Sequence, residues 1–133
     1  MGWGATFEGG KESISLRYGA VVPISMGVPP QCGNFTSAEF NMTTTICAGG
    51  TIASAYPGGS PCQYDEGSPL VQDFVDPDTS QMIPTAVGIF SKTAICGYGI
   101  PEAAGIYTRL SEFSSWLLDT AGEQPVRRAF NTR

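Results

Sequence analysis

The sequence predicts a small all-β domain, and three observations carry that prediction. The 133 residues include 17 Gly and 10 Pro, and turn-forming residues recur about every ten positions, the rhythm that short strands of a barrel or sandwich require. The segments between the turns are short and either alternating or continuously apolar. Only one stretch, near the C-terminal end, repeats its apolar residues at helical spacing. Composition agrees: with 14% charged residues the chain is too poor in Glu and Lys for a helical bundle, and with 11% aromatics it is too rich for a disordered tail.

Ser13 to Val22 alternates, with Ile14, Leu16, Tyr18, Ala20 and Val22 on one face and Ser13, Ser15 and Arg17 on the other. That pattern predicts a half-buried strand, ended by Pro23. Thr43 to Ala48 is β-branched and apolar and predicts a second strand. Leu70 to Val75 and Ile83 to Phe90 flank Asp76-Pro77-Asp78-Thr79-Ser80, which predicts a hairpin with a short loop. Gly105 to Leu110 supplies a further strand. After it, Ser111 is placed to cap a helix, Glu112 suits the first turn, and Phe113, Trp116 and Leu117 fall at i, i+3 and i+4 before Gly122 stops the pattern. The expected organisation is one domain over residues 1–121 and a solvated basic tail over 122–133, which holds Arg127, Arg128 and Arg133.

Charge and residue inventory exclude several functions. A net charge of −5 argues against a sequence-independent grip on nucleic acid. No apolar run approaches the roughly 20 residues needed to cross a bilayer, and the first residues are neither basic nor long enough for a signal peptide. The chain is therefore expected to be a mature product, a processed half or a fragment. It contains no histidine, the usual base for activating a Ser or Cys nucleophile and the commonest ligand of catalytic zinc. The four cysteines, Cys32, Cys47, Cys62 and Cys96, are too widely spaced for a Cys-x-x-Cys motif, so disulfides are expected rather than a metal site. Three pairings are open. Two N-glycosylation sequons, at Asn34 and Asn41, point to the same secretory route.

Five motifs then carry a resemblance. Cys62-Gln63-Tyr64-Asp65-Glu66-Gly67-Ser68-Pro69-Leu70 resembles the nucleophile loop of chymotrypsin-like serine proteases, Cys-Gln-Gly-Asp-Ser-Gly-Gly-Pro-Leu. Gly2-Trp3-Gly4, Ile46-Cys47-Ala48-Gly49, Gly88-Ile89-Phe90-Ser91 and Gly105-Ile106-Tyr107-Thr108-Arg109 resemble further motifs of the same family, in the same order. The resemblance spans residues 1 to about 121. It implies the C-terminal barrel of that fold, an antiparallel six-stranded Greek-key barrel with a short C-terminal α-helix packed outside. It also implies the pairings Cys32–Cys47 and Cys62–Cys96, whose loops of about 16 and 35 residues contribute on the order of 3–4 kcal/mol each.

By the same resemblance the catalytic site is degenerate. Glu66 stands where the family has its nucleophilic serine, and a carboxylate is a poor nucleophile at a peptide carbonyl. Tyr64 stands at the oxyanion-hole glycine, where a side chain that disfavours positive φ is expected to turn the amide away. Asp65 is retained; in the family it receives a freed N-terminal amine. The former substrate pocket maps to Ser60 at its floor, Ser91, Lys92 and Thr93 along its edge, and Gly105 on its wall. Ser68 belongs to a glycine position that faces elsewhere. No cofactor and no metal are expected: Asp73, Asp76 and Asp78 read as a solvated turn because their spacing matches no EF-hand loop, and Tyr98 reads as a lid in a Gly-rich loop.

The functional expectation is a secreted, catalytically inactive homologue that acts by binding protein, as inhibitor, decoy or cofactor. A structural subunit of an extracellular assembly is the alternative, and an active endopeptidase is disfavoured. The expected partners are the N-terminal barrel of the same precursor, cleaved or considered separately, and an extracellular protein target, with neither nucleic acid nor a membrane span.

Overall fold

The computed structural model describes residues 1–24, 32, 35, 40–49, 59–96 and 103–121. Asn34, Tyr98 and the tail over 122–133 lie outside them. Five strands form one antiparallel sheet: β1 (Val22–Pro23), β2 (Thr45–Gly49), β3 (Pro69–Val75), β4 (Met82–Thr93) and β5 (Ala104–Arg109), in the spatial order β1-β2-β5-β4-β3. The consecutive strands β3, β4 and β5 form a meander, and β2 lies beside β5, which is a Greek-key arrangement. The sheet curls into a half-barrel of the expected type. Bulges between Leu70 and Val71 and between Phe90 and Lys92 bend β3 and β4, and the second leaves Ser91 without a partner in the ladder.

The β3–β4 hairpin follows directly from the sequence. Val75 pairs with Met82, and Asp76 builds the turn by accepting the Asp78 and Thr79 amides on Oδ1 at 2.8 and 3.3 Å, an Asx-type turn. Both disulfides form as the family resemblance implies, Cys32–Cys47 and Cys62–Cys96. The core is divided among three clusters: Cys32, Phe40, Cys47, Ala104 and Ile106; Ala48, Phe90 and Tyr107; and Ala5 with the second disulfide. The Phe90 and Tyr107 rings lie 5.5 Å apart and tilted by 59°, within the favourable aromatic range. Arg109 fastens β5 to the approach to β2, donating its backbone N–H to Thr44 O at 2.8 Å and its guanidinium to Thr45 O at 3.0 Å.

Two expectations need correction. The alternating stretch Ser13–Val22 is not a half-buried strand: Arg17 alone bridges to Gly2, and β1 takes only its last residue and Pro23. Ile14 is fully exposed and Tyr18 is 92% exposed, because among the described residues nothing covers the apolar face that the alternation creates. The C-terminal helix also differs. It begins as a 3₁₀ turn, Leu110–Phe113, without a side-chain cap, so Ser111 lies inside the turn, and the α-helix, Ser114–Ala121, follows. Neither buries a residue, and Trp116 is 62% exposed. The amphipathic spacing is present, but the face it defines is not packed against the sheet.

Candidate functional site

The loop from Cys62 to Ser68 is built by contacts reaching it from far along the chain. Asp65 is its anchor. The Gly4 amide donates to Asp65 Oδ1 at 2.7 Å and the Cys62 amide to Oδ2 at 3.1 Å. The carboxyl lies so close to the N-terminal backbone that a Cβ on Gly2 would come within 2.0 Å of Asp65 Oδ1, and one on Gly4 within 2.3 Å of Asp65 Cγ. Glycine at both positions is a steric requirement of the half-buried acid. On the other flank, Gly67 donates to Phe90 O at 2.9 Å and Phe90 to Ser68 O at 2.8 Å, which ties the loop to β4.

Within this frame Tyr64 adopts φ +73° and Gly67 φ +86°. Tyr64 thus holds a left-handed bend that its side chain disfavours, at a cost of about 1–2 kcal/mol. The reason is that the disulfide at Cys62 and the anchored Asp65 determine the backbone on either side. Among the described residues the Tyr64 and Glu66 amides donate to no intramolecular acceptor. Both side chains are exposed. A Cβ on Gly2 would meet Ser68 Oγ at 2.7 Å, so that hydroxyl points toward the N-terminal segment.

The other pocket positions have different described neighbours. Ser60 and Pro61 line a groove of about 540 Å³ together with Gly4, Asp65, Phe90 and Tyr107. Gly105 lies beneath Pro61 instead: a Cβ there would meet Pro61 Cγ at 2.6 Å and Phe90 Cε2 at 3.0 Å. Thr93, paired with Gly105, shares its hydroxyl between Ile95 O at 2.7 Å and Ala104 O at 3.0 Å. Lys92 places Nζ 5.0 Å above the Phe35 ring, a cation–π distance, and Ser91 is exposed at the bulge.

Two neighbours of this region have roles that the sequence analysis does not assign. Glu8 accepts the Cys96 amide at 2.9 Å and a hydrogen bond from Gln63 Nε2. It forms with Cys62 and Cys96 the one cluster of three metal-ligating residues among the described residues, but both sulfurs are committed to the disulfide. Tyr107 is the second. Burial, assisted by the negative charge of Asp65, pushes its phenol up to about 12.

The family model named Trypsin matches residues 1–117. The chain belongs to the trypsin family. Among similar trypsin-family proteins, mouse Serine protease 56 is 31% identical over 96% of this chain and 19% of its own length. The Drosophila Serine protease snk is 32% identical over 92% of this chain and 27% of its own length. Venom peptide isomerase heavy chain of Agelenopsis aperta is 30% identical over 88% of this chain and 44% of its own length. The chain thus spans less than half the length of these trypsin-family relatives. Among the described residues no helix is long and apolar enough to cross a membrane.

Proposed function

We propose that this trypsin-family chain is catalytically inactive and acts outside the cell by binding protein, as an inhibitor, decoy or cofactor. One observation carries the reading. The nucleophile-type loop has left-handed bends and an anchored, half-buried aspartate, yet exposes Glu66 and Tyr64 at its tip, in a sequence with no histidine. A carboxylate in place of a hydroxyl is a poor nucleophile at a peptide carbonyl, and its negative charge opposes an oxyanion forming beside it. Two contacts at the former pocket positions support the same reading: a Cβ on Gly105 would meet Pro61 Cγ at 2.6 Å, and the Thr93 hydroxyl is engaged by backbone.

The proposal extends to organisation. Residues 1–121 act as the second barrel of a two-barrel assembly, with 122–133 as an appended tail. Trp3, Phe7, Ile14 and Tyr18 are exposed, and the partner inferred to cover them is an N-terminal barrel of the same precursor. The described chain has no free cysteine, so that association is noncovalent. Asn41 suits a glycan, because it is exposed and its Oδ1 is engaged by the Thr43 amide at 2.9 Å, leaving Nδ2 for the sugar.

The test is to treat the complete protein, with its partner, with a fluorophosphonate probe and a panel of peptide substrates. Neither labelling nor cleavage is expected. Covalent labelling of Ser68, or of any serine at this loop, would defeat the inactive reading.

A further inference from the structure

The disulfide between Cys62 and Cys96 is buried, with the two residues 2% and 1% exposed, and one short strap of chain lies across it. The Gly4 amide holds Asp65, the Ala5 amide donates to Gln63 O at 2.9 Å, and Ala5 packs against both cysteines. The strap then reaches Glu8, whose carboxylate spans the two arms of the disulfide. Its Oε2 accepts the Cys96 amide at 2.9 Å and lies 3.1 Å from Cys96 Sγ. Its Oε1 accepts from Gln63 Nε2, and the Oε1 of Gln63 lies 3.0 Å from Cys62 Sγ.

Neither bonded sulfur has a hydrogen to donate, so the carboxylate gains no hydrogen bond from the sulfur it touches. Its charge bears instead on thiol–disulfide exchange. In that reaction a thiolate attacks one sulfur, a new S–S bond forms to the attacker as the old one breaks, and the electron pair leaves on the other sulfur. A second thiol then displaces the first as a small disulfide, and the protein is left with two reduced cysteines. Attack on Cys62 Sγ makes the leaving charge grow on Cys96 Sγ, beside Glu8 Oε2. Attack on Cys96 Sγ brings the incoming anion past Glu8, which is exposed while the sulfur it touches is buried. Either route brings like charges together where water is partly excluded and repulsion is stronger than in bulk solvent. Asp65 adds a second carboxylate on the Cys62 side, accepting the Cys62 amide at 3.1 Å.

We propose that Glu8 is an electrostatic guard of the Cys62–Cys96 disulfide, selecting against anionic thiols and so keeping the loop up to Ser68 anchored in their presence. The guard acts on the frame of the loop, whatever its tip binds. The other disulfide, Cys32–Cys47, is equally buried but packs with Phe40, Ala104 and Ile106, which makes it an internal comparison.

The test treats the complete protein with two small thiols of opposite charge, mercaptoethanesulfonate and cysteamine, and follows each disulfide by alkylation and peptide mass mapping at low conversion. The cation-to-anion rate ratio at Cys62–Cys96 is divided by the same ratio at Cys32–Cys47, which removes the intrinsic reactivity of each thiol. The expected quotient is about tenfold in favour of the cationic thiol. Glu8→Gln, which keeps the shape and an acceptor oxygen but removes the charge, is expected to bring the quotient to about one by speeding the anionic thiol. In the unaltered protein, about 1 M salt is expected to shrink it in the same direction. Equal acceleration of both thiols by Glu8→Gln overturns the proposal, because the side chain would then act as a cover and not as a charge. So do unchanged rates, a quotient that ignores salt, or acceleration of both disulfides together, which would mean that the substitution opens the fold.

Discussion

The loop from Cys62 to Ser68 and the stretch from Ser13 to Val22 both lie mostly outside the strands, yet they are held in different ways. The loop is fixed at both flanks and from beneath: a disulfide at Cys62, two amides on Asp65, and reciprocal hydrogen bonds with Phe90. It holds a left-handed tyrosine in place. The stretch has an isolated bridge at Arg17 and leaves Ile14, Leu16 and Tyr18 at least half exposed. The difference teaches that local pattern and local order are separate properties. The stretch has the better pattern and the loop has the better anchors.

Several measurements would break or sharpen that comparison. The largest effect is expected from Gly4→Ala, which places a methyl against the Asp65 carboxyl and should lower stability by about 2–3 kcal/mol in denaturant unfolding. A change under 0.5 kcal/mol would mean the anchor gives way easily. An effect of at most the same size is expected with pH. The Tyr107 phenol is raised in the fold from 10.0 to about 12, so its stabilising contribution is complete below pH 10. As pH rises from there toward 12, the unfolded chain ionises first and the contribution is lost, up to about 2–3 kcal/mol. Tyr107→Phe should show a shallower decline in that window, and parallel curves for the two proteins would count against a buried neutral phenol.

Tyr64→Gly should act in the opposite sense and raise stability by about 1 kcal/mol, since it relieves the left-handed bend. No gain would indicate that Tyr64 makes a compensating contact. The smallest effect belongs to the stretch: Ile14→Ser and Tyr18→Ser should each change stability by less than about 0.5 kcal/mol in the isolated chain. A loss of 2 kcal/mol or more would show a covered face and end the contrast.

Much of the sheet was legible in the sequence, for identifiable reasons. The β3–β4 hairpin combines alternation with an Asp-Pro-Asp turn, both local signals, and its register follows from them. The disulfide pairings came with the family motifs and not from cysteine spacing, which left three options. What failed was whatever depends on a distant surface. The Ser13–Val22 alternation defines an apolar face but contains no information on whether a neighbour meets it. Ser111 has the chemistry of a cap, yet the chain enters a 3₁₀ turn one residue earlier, at Leu110. The site divides in the same way. Asp65 and Glu66 were readable from one motif, whereas the roles of Gly2, Gly4 and Glu8 depend on backbone brought from more than fifty residues away, and the φ of Tyr64 depends on those anchors.

The Gly4–Asp65 contact also bears on the order of events as the chain folds. The hairpin closes over a few residues and can form early, but the aspartate meets its amide across 61 positions, and such distant closures are slow to nucleate. Topology thus makes the sheet the scaffold and the loop a late arrival, completed only when the first four residues return to it.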